Sequence, residues 1–236
     1  MALEKMRRRW EAWLQPVLNA FSSFSPATVT WMALPFGVAG GLMATYAPDE
    51  SAGGWWLLAG ALSIGLAMIF DGLDGSLARA KGEVTRWGDY LDHTIDRVLD
   101  GVWVVCISAS VFVGDMTLGF AAAFLTLMGS YMGTQAQAVA GSRNYRGFSR
   151  ADRTVLTLLS LVVMGIMLLA GWSIDATYPG WFGHIPVNPL SLVVFISALG
   201  GLWTFSVRFM QAKGEIQRLD AEDPLPQPEP KNPTGP

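Results

Sequence analysis

Charge is scarce in this chain. Asp, Glu, Lys and Arg together make up 15% of its 236 residues, against roughly 25% in soluble proteins. With 51% hydrophobic residues, 10 Trp, 12 Phe and 11 Met, that shortage excludes an ordinary soluble domain and points to an integral membrane protein. Cysteine is nearly absent: the single Cys106 excludes a disulfide framework within the chain, and in its apolar run it reads as a small buried hydrophobe. Only two His are present, so a metal site built from His and Cys clusters is excluded as well. No internal repeat is visible, and no nucleic-acid partner is expected.

What the chain does have is long apolar runs. A membrane-spanning helix needs about 20 mostly apolar residues, and six candidates are found, at about 27–47, 55–79, 88–113, 117–140, 153–172 and 189–211. The expected fold class is therefore all-α, a polytopic membrane protein of six transmembrane helices, with 25–214 as the membrane domain. The basic residues test this layout. Six spans put both termini on one face, and all 16 Lys and Arg then fall on that face. The opposite connections, "APDESAGG", "GDM" and "GWSIDATYPGWFGHIPVNP", hold none. By the positive-inside rule both termini face the cytoplasm.

Residues 1–24 carry Arg7 to Arg9 like a signal peptide, but lack its apolar core and cleavage site. Trp10, Trp13, Leu14, Val17, Leu18 and Phe21 recur at helical spacing, which predicts an amphipathic helix in the interface, bent at Pro16. Residues 215–236 are polar and Pro-rich and are expected to form a disordered cytoplasmic tail.

The charge that remains is concentrated in "DGLDGSLARAKGEVTRWGDYLDHTIDR", residues 71–97. Asp71 and Asp74 share a face near the end of the second span, and Asp92 and Asp96 share one near the start of the third. A turn around Lys81 to Arg86 joins the two spans, which predicts antiparallel neighbours whose carboxylates converge at the inner edge of the bilayer. Bare carboxylates so placed repel strongly; a hard divalent cation, Mg²⁺, Mn²⁺ or Ca²⁺, resolves the conflict through oxygen ligands. The nearby Arg79 adds a contact for phosphate or diphosphate, and Gly72, Gly75 and Gly88 let a ligand approach the backbone.

The pattern Asp71-x2-Asp74-Gly75-x2-Ala78-Arg79-x8-Gly88-x3-Asp92-x3-Asp96 resembles the CDP-alcohol phosphotransferase signature at every fixed position. Eight such residues coincide by chance on the order of once in 10¹⁰ start positions. The six-helix layout is similar to that family over nearly the whole chain. The resemblance implies transfer of a phosphatidyl-type group from a CDP-linked lipid to an alcohol, or of a phospho-base from CDP to a lipid, with CMP leaving. It implies that Asp71, Asp74, Asp92 and Asp96 hold Mg²⁺ or Mn²⁺, two ions per site, with Ca²⁺ as a non-productive occupant. It further implies that Asp96 is the general base, and that Asp71, Asp74, Gly75, Ala78, Arg79 and Gly88 form the CDP pocket. Many relatives carry Pro-Asn-x-x-Thr before the first span; here Ala27 replaces the Asn while Thr30 remains. The family is typically homodimeric.

A second polar stretch, "GSRNYRGFSRADR", carries Arg143, Arg146, Arg150 and Arg153. Positive-inside topology and headgroup contact explain part of it. Arg150 and Arg153 stand at a helix start, where cations oppose the macrodipole, and an anionic acceptor would give them a reason. The spacing Gly147-x2-Arg150-x2-Arg153 is similar to relatives that use phosphorylated acceptors, the phosphatidylinositol-phosphate and phosphatidylglycerol-phosphate synthases. Those relatives often have basic residues in the fourth helix, where this chain has Gln135 and Gln137. Gln135, with Tyr131 and Thr134, would suit a polyol. The expected acceptor is a polyol phosphate, narrowly ahead of an uncharged alcohol.

Other polar residues have plainer readings. Asp100 is as well explained by pairing with Arg97 as by function. His93 lies on a different face from Asp92 and Asp96 and reads as packing or a supporting hydrogen bond; His184 reads as incidental. Gly37-x3-Gly41 and Gly129-x3-Gly133 fit close helix packing. The rival function, an ion-coupled transporter, would want acids near the midplane of several helices rather than crowded at one edge. An inactive scaffold would not keep all four Asp.

Overall fold

The computed structural model describes residues 15–141 and 146–225, and they form an all-helical bundle. The elements are α1 (Pro26–Tyr46), α2 (Ser51–Lys81), α3 (Arg86–Ala109), α4 (Met116–Ala140), α5 (Arg150–Leu169), a 3₁₀ turn at Gly180–Phe182, and α6 (Pro189–Glu222). Among the described residues the sole β feature is an isolated bridge between Thr177 and Pro186. Residues 15–20 are also helical; Leu18 packs with Val29, Leu73 and Leu77, with Phe21 against them. The rest of the expected amphipathic helix, including Arg7 to Arg9, lies outside the described residues.

Five helices among the described residues, α1, α2, α4, α5 and α6, are long and apolar enough to cross a membrane. The exception is α3, because its first fifteen residues carry Asp89, Asp92, Asp96, Arg97 and Asp100. Yet α3 is well enclosed: Leu91, Ile95, Leu99, Trp103 and Ile107 are buried at helical spacing. α6 runs to Glu222, past Glu215 where the polar tail was expected to begin. Its apolar part is followed by "QAKGEIQRLDAE", a sequence rich in helix formers and free of Pro.

The packing departs from the expected hairpin of the second and third spans. α1 packs on both α2 and α3, α2 packs on α5, α4 packs on α3 and α6, and α5 packs on α6. α2 and α3 do not pack along their lengths. Their junction explains this. Gly82 takes a left-handed φ of 69°, and the amides of Gly82 and Glu83 donate to Arg79 and Ala78 oxygens at 3.3 and 2.9 Å, a Schellman-like stop. Thr85 then caps α3 by accepting from the Gly88 amide at 3.0 Å. The junction fixes only the helix ends and leaves α1 to fill the space between.

Small residues set the crossings, as expected where lipid removes the hydrophobic drive between helices. A Cβ on Gly54 would lie 2.7 Å from the Gly165 oxygen, so α2 and α5 meet backbone to backbone. Side chains then tie helices across the gaps. Ser63 Oγ donates to the Phe36 oxygen at 2.7 Å, and Trp103 Nε1 donates to the Gly37 oxygen at 2.9 Å. Gly37 and Gly41 face α3, and Gly129 faces Gly201 of α6.

Candidate active site

The end of α2, the start of α3 and the start of α5 meet at one end of the bundle. α2 brings Asp71 and Asp74; α3 brings Asp92, Asp96 and Asp100; α5 brings Arg150 and Arg153. Asp71 lies within side-chain reach of both Asp92 and Asp96, so the carboxylates of the two helices do converge. Asp74 and Asp96 are buried. Thr30 Oγ1 donates to Asp74 Oδ2 at 2.6 Å, and the Gly75 amide donates to Asp74 Oδ1. The Thr of the element before the first span thus sits on a signature carboxylate, while Ala27 lines the cavity beside it.

That cavity, of about 680 Å³, opens beside the carboxylates, within the size range of small-molecule sites. Asp74, Gly75, Ala78, Arg79, Gly88 and Asp92 line it, joined by residues 25–27 and 83–85. Of the residues expected around CDP, only Asp71 is not on its wall. Arg79 Nη2 donates to Ser76 Oγ at 3.2 Å, one turn back. Lys81 Nζ donates to the Phe24 oxygen at 2.8 Å and ties the end of α2 to the chain before α1.

The residues expected at the acceptor divide. Arg150 stands among the acids: Nη1 donates to Asp71 Oδ2 at 2.9 Å, and Nη2 lies 2.7 Å from Asp96 Oδ1. Arg153 Nη2 donates to Asp100 Oδ2 at 2.7 Å and Nη1 to the Phe148 oxygen at 3.1 Å. Two cations at a helix start therefore have carboxylates of α2 and α3 to answer them, while the capping box of Ser149 and Asp152 satisfies the helix end itself. The Arg146 oxygen accepts from Arg208 Nε at 2.9 Å. Gln135 is exposed on α4 and accepts from Tyr131 Oη at 3.1 Å. Arg143 lies outside the described residues.

Asp100 pairs with Arg97, one of its two expected readings, and also joins Arg150 and Arg153 from one turn beyond Asp96. Sequence reasoning missed one further group. Arg208 of α6 also bonds the Gly129 oxygen at 2.9 Å; nothing in its apolar surroundings signalled that. Thr204 fastens the α4–α5 loop by accepting from the Phe148 amide at 2.9 Å. Gly147, at φ 110°, is pressed against Thr204, where a Cβ would come within 2.8 Å of its Oγ1.

The donor set fits a hard divalent ion. It is all carboxylate oxygen apart from His93, whose ring, with Asp92 and Asp96, offers ligand atoms within 4.8 Å of one another. His93 also lies 3.7 Å from both Asp89 and Asp92, closer to the cluster than its helical position suggested. The cluster already accommodates positive charge, since the Arg150 guanidinium touches two of its members.

A family model described as CDP-alcohol phosphatidyltransferase matches residues 24–196. A phosphatidylinositol phosphate synthase of Cutibacterium acnes is 27% identical over 89% of this chain and 97% of its own. An archaetidylinositol phosphate synthase of Methanothermobacter thermautotrophicus is 32% identical over 51% of this chain and 60% of its own. The crystal structure of Mycobacterium tuberculosis phosphatidylinositol phosphate synthase with CDP-DAG bound has a TM-score of 0.64 at 24% identity, over 84% of this chain and 92% of that one. The same protein in complex with manganese and citrate has a TM-score of 0.65 at 24% identity, over 90% and 99%. At these identities the structural likeness shows the fold.

Proposed function

The chain belongs to the CDP-alcohol phosphatidyltransferase family and is a membrane transferase of phospholipid synthesis; on that premise we propose that its acceptor is a polyol phosphate, inositol phosphate or glycerol phosphate. The observation that carries this reading is the meeting of Arg150 with the signature carboxylates Asp71 and Asp96, and of Arg153 with Asp100 one turn further on. Guanidinium groups bind phosphate through paired N–H donors. The curated relatives above are named as synthases of phosphatidylinositol phosphate and archaetidylinositol phosphate, which supports the same class.

The mechanism assigns each group a task. The cavity takes the CDP moiety, with Gly75 and Gly88 allowing close approach and Arg79 on the diphosphate. Asp71, Asp74, Asp92 and Asp96 would hold Mg²⁺ or Mn²⁺, which would neutralise charge on the diphosphate and on CMP. Asp96 takes the proton of the acceptor hydroxyl. The freed oxygen attacks the phosphorus that carries the lipid, a new P–O bond forms, and the P–O bond to CMP breaks. Arg150 and Arg153 hold the acceptor's phosphate so that its hydroxyl points at the reacting phosphorus.

We place six spans in the membrane, α3 included, with both termini and the site on the cytoplasmic side. In this layout all 16 Lys and Arg fall on that side, which supports it. The nucleotide then arrives from the cytosol while the lipid tails stay in the bilayer. An acceptor screen tests the reading. Purified protein with CDP-diacylglycerol is offered inositol phosphate, glycerol 3-phosphate, inositol and serine, and CMP is measured. Turnover with a phosphorylated polyol is expected. Turnover with inositol or serine alone would move the assignment to an uncharged acceptor, which the exposed Tyr131–Gln135 pair would then serve. Turnover only with a CDP-linked headgroup and a lipid alcohol would reverse donor and acceptor.

A further inference from the structure

The signature ends at Asp96, but the ion network does not. Asp100, one turn further along α3, is 4% exposed. Its Oδ2 accepts from Arg153 Nη2 at 2.7 Å and from Arg97 Nη1 at 3.1 Å. Its Oδ1 lies 3.6 Å from Arg150 Nε. Arg150 thus stands among three carboxylates: Nη1 bonds Asp71, Nη2 lies against Asp96, and Nε, buried without a hydrogen-bond partner, lies at ion-pair distance from Asp100. The guanidinium is planar and its donors have fixed directions. The Asp100 charge behind the Nε edge attracts the guanidinium without a hydrogen bond, and the two Nη groups are turned to Asp71 and Asp96.

Asp100 also holds Arg153, itself buried, on the same oxygen that meets Arg97. Arg150 and Arg153 lie one turn apart on α5, and Asp100 is the one residue of α3 that touches both among the described residues. α3 and α5 make little other contact. Asp100 therefore ties Arg153 to α3 and stands beside the direct contact of Arg150 with Asp96.

We propose that Asp100 is a positioning residue for the acceptor: it anchors Arg153 by a hydrogen bond and holds Arg150 by charge, so that the Nη donors of Arg150 can pass from Asp71 and Asp96 to an anionic acceptor beside Asp96. This rests on the phosphorylated-acceptor reading above. On acceptor binding the Nη groups of Arg150 exchange Asp71 and Asp96 for phosphate oxygens, while Nε stays over Asp100. Asp100 itself touches neither substrate.

The test uses the full chain in lipid nanodiscs with CDP-diacylglycerol and either inositol phosphate or glycerol 3-phosphate. In Asp100→Asn, KM for the phosphorylated acceptor is expected to rise at least about tenfold, the scale of charged hydrogen bonds. KM for CDP-diacylglycerol should stay within about twofold. Asp100→Glu should recover part of the acceptor KM. Asp100→Asn leaves buried guanidinium groups uncompensated, so the charge-matched double variant Arg97→Gln with Asp100→Asn is made alongside it. Loss of acceptor affinity that persists in the double variant supports the proposal. An unchanged acceptor KM, equal rises in both KM values, or recovery of the acceptor KM in the double variant overturns it. Wild-type protein that turns over only uncharged alcohols would instead show the acceptor reading to be wrong, an outcome the variants do not mimic.

Discussion

The two ends of this bundle use polar side chains in opposite ways. At the end that carries the site, charges are answered by other charges: Asp71, Asp96 and Asp100 meet Arg150, and Asp100 meets Arg97 and Arg153. At the far end, polar side chains are answered chiefly by backbone, with the pair of Asp115 and His184 beside them. Asn188 accepts from the Leu190 and Ser191 amides at 2.9 Å and donates to the Phe112 oxygen at 2.6 Å. Asp115 caps α4 through the Leu118 amide at 2.9 Å. A bond to backbone has no better partner to exchange for, so it holds a fold. A charge paired with a movable charge can give that partner up to a phosphate or a metal ion, so the first end suits chemistry and the second suits stability.

The largest effect expected at the site end is from chelation. EDTA should bring CMP release to background, and Mg²⁺ or Mn²⁺ should restore it; full activity in EDTA would remove metal from the mechanism. Next comes Asp96→Asn, which should lower CMP release at least about 10²-fold while sparing CDP-lipid binding, measured by equilibrium binding of the labelled donor. Wild-type turnover in that variant would leave Asp96 without a role as base. Arg150→Gln should follow, with acceptor KM raised roughly 10- to 100-fold, as for loss of a charged hydrogen bond.

The far end should respond in stability and not in turnover. Asn188→Ala removes a helix cap and leaves the buried Phe112 oxygen without its donor, a cost of about 1–3 kcal/mol. It should lower the melting temperature with both KM values unchanged; a selective change in either KM would break the contrast between the ends. The smallest effect is at Asp115. The Leu118 amide, aided by His184 at 2.9 Å, holds its carboxyl below the ordinary 3.8. Its stabilisation is thus complete above pH 3.8 and lost as pH falls through the lower folded value. The melting gap between wild type and Asp115→Ala should be open at pH 6 and close below pH 3.8.

Much of the site end was legible because its information is local. The spacing of Asp71, Asp74, Asp92 and Asp96 carries the family signature, and Gly82 and Thr85 mark the junction between their helices. What the sequence did not disclose is pairing across distance. Arg150 is 79 residues from Asp71, and nothing in "GSRNYRGFSRADR" says that its cations turn inward to carboxylates as well as outward to a ligand. The placement of α1 between α2 and α3 was hidden for a similar reason: a short turn fixes where two helices start and stop, while the residues on their flanks decide which neighbour fills the gap. The length of α6 was missed because polarity was read as disorder, although residues such as Gln217, Arg218 and Leu219 favour a helix.

The order of those partners along the chain sets a schedule for making the protein. A ribosome adds about 5–20 residues each second, so the 79 residues between Asp71 and Arg150 take on the order of 4–16 s to synthesise. For the later part of that interval both acid-bearing helices exist while Arg150 and Arg153 do not. A newly made α2–α3 pair must meet that time with its carboxylates in water, protonated, or on ions from the cytosol. The arrival of α5 is therefore the event that closes the site, and the carboxylates that later serve turnover first serve to receive it.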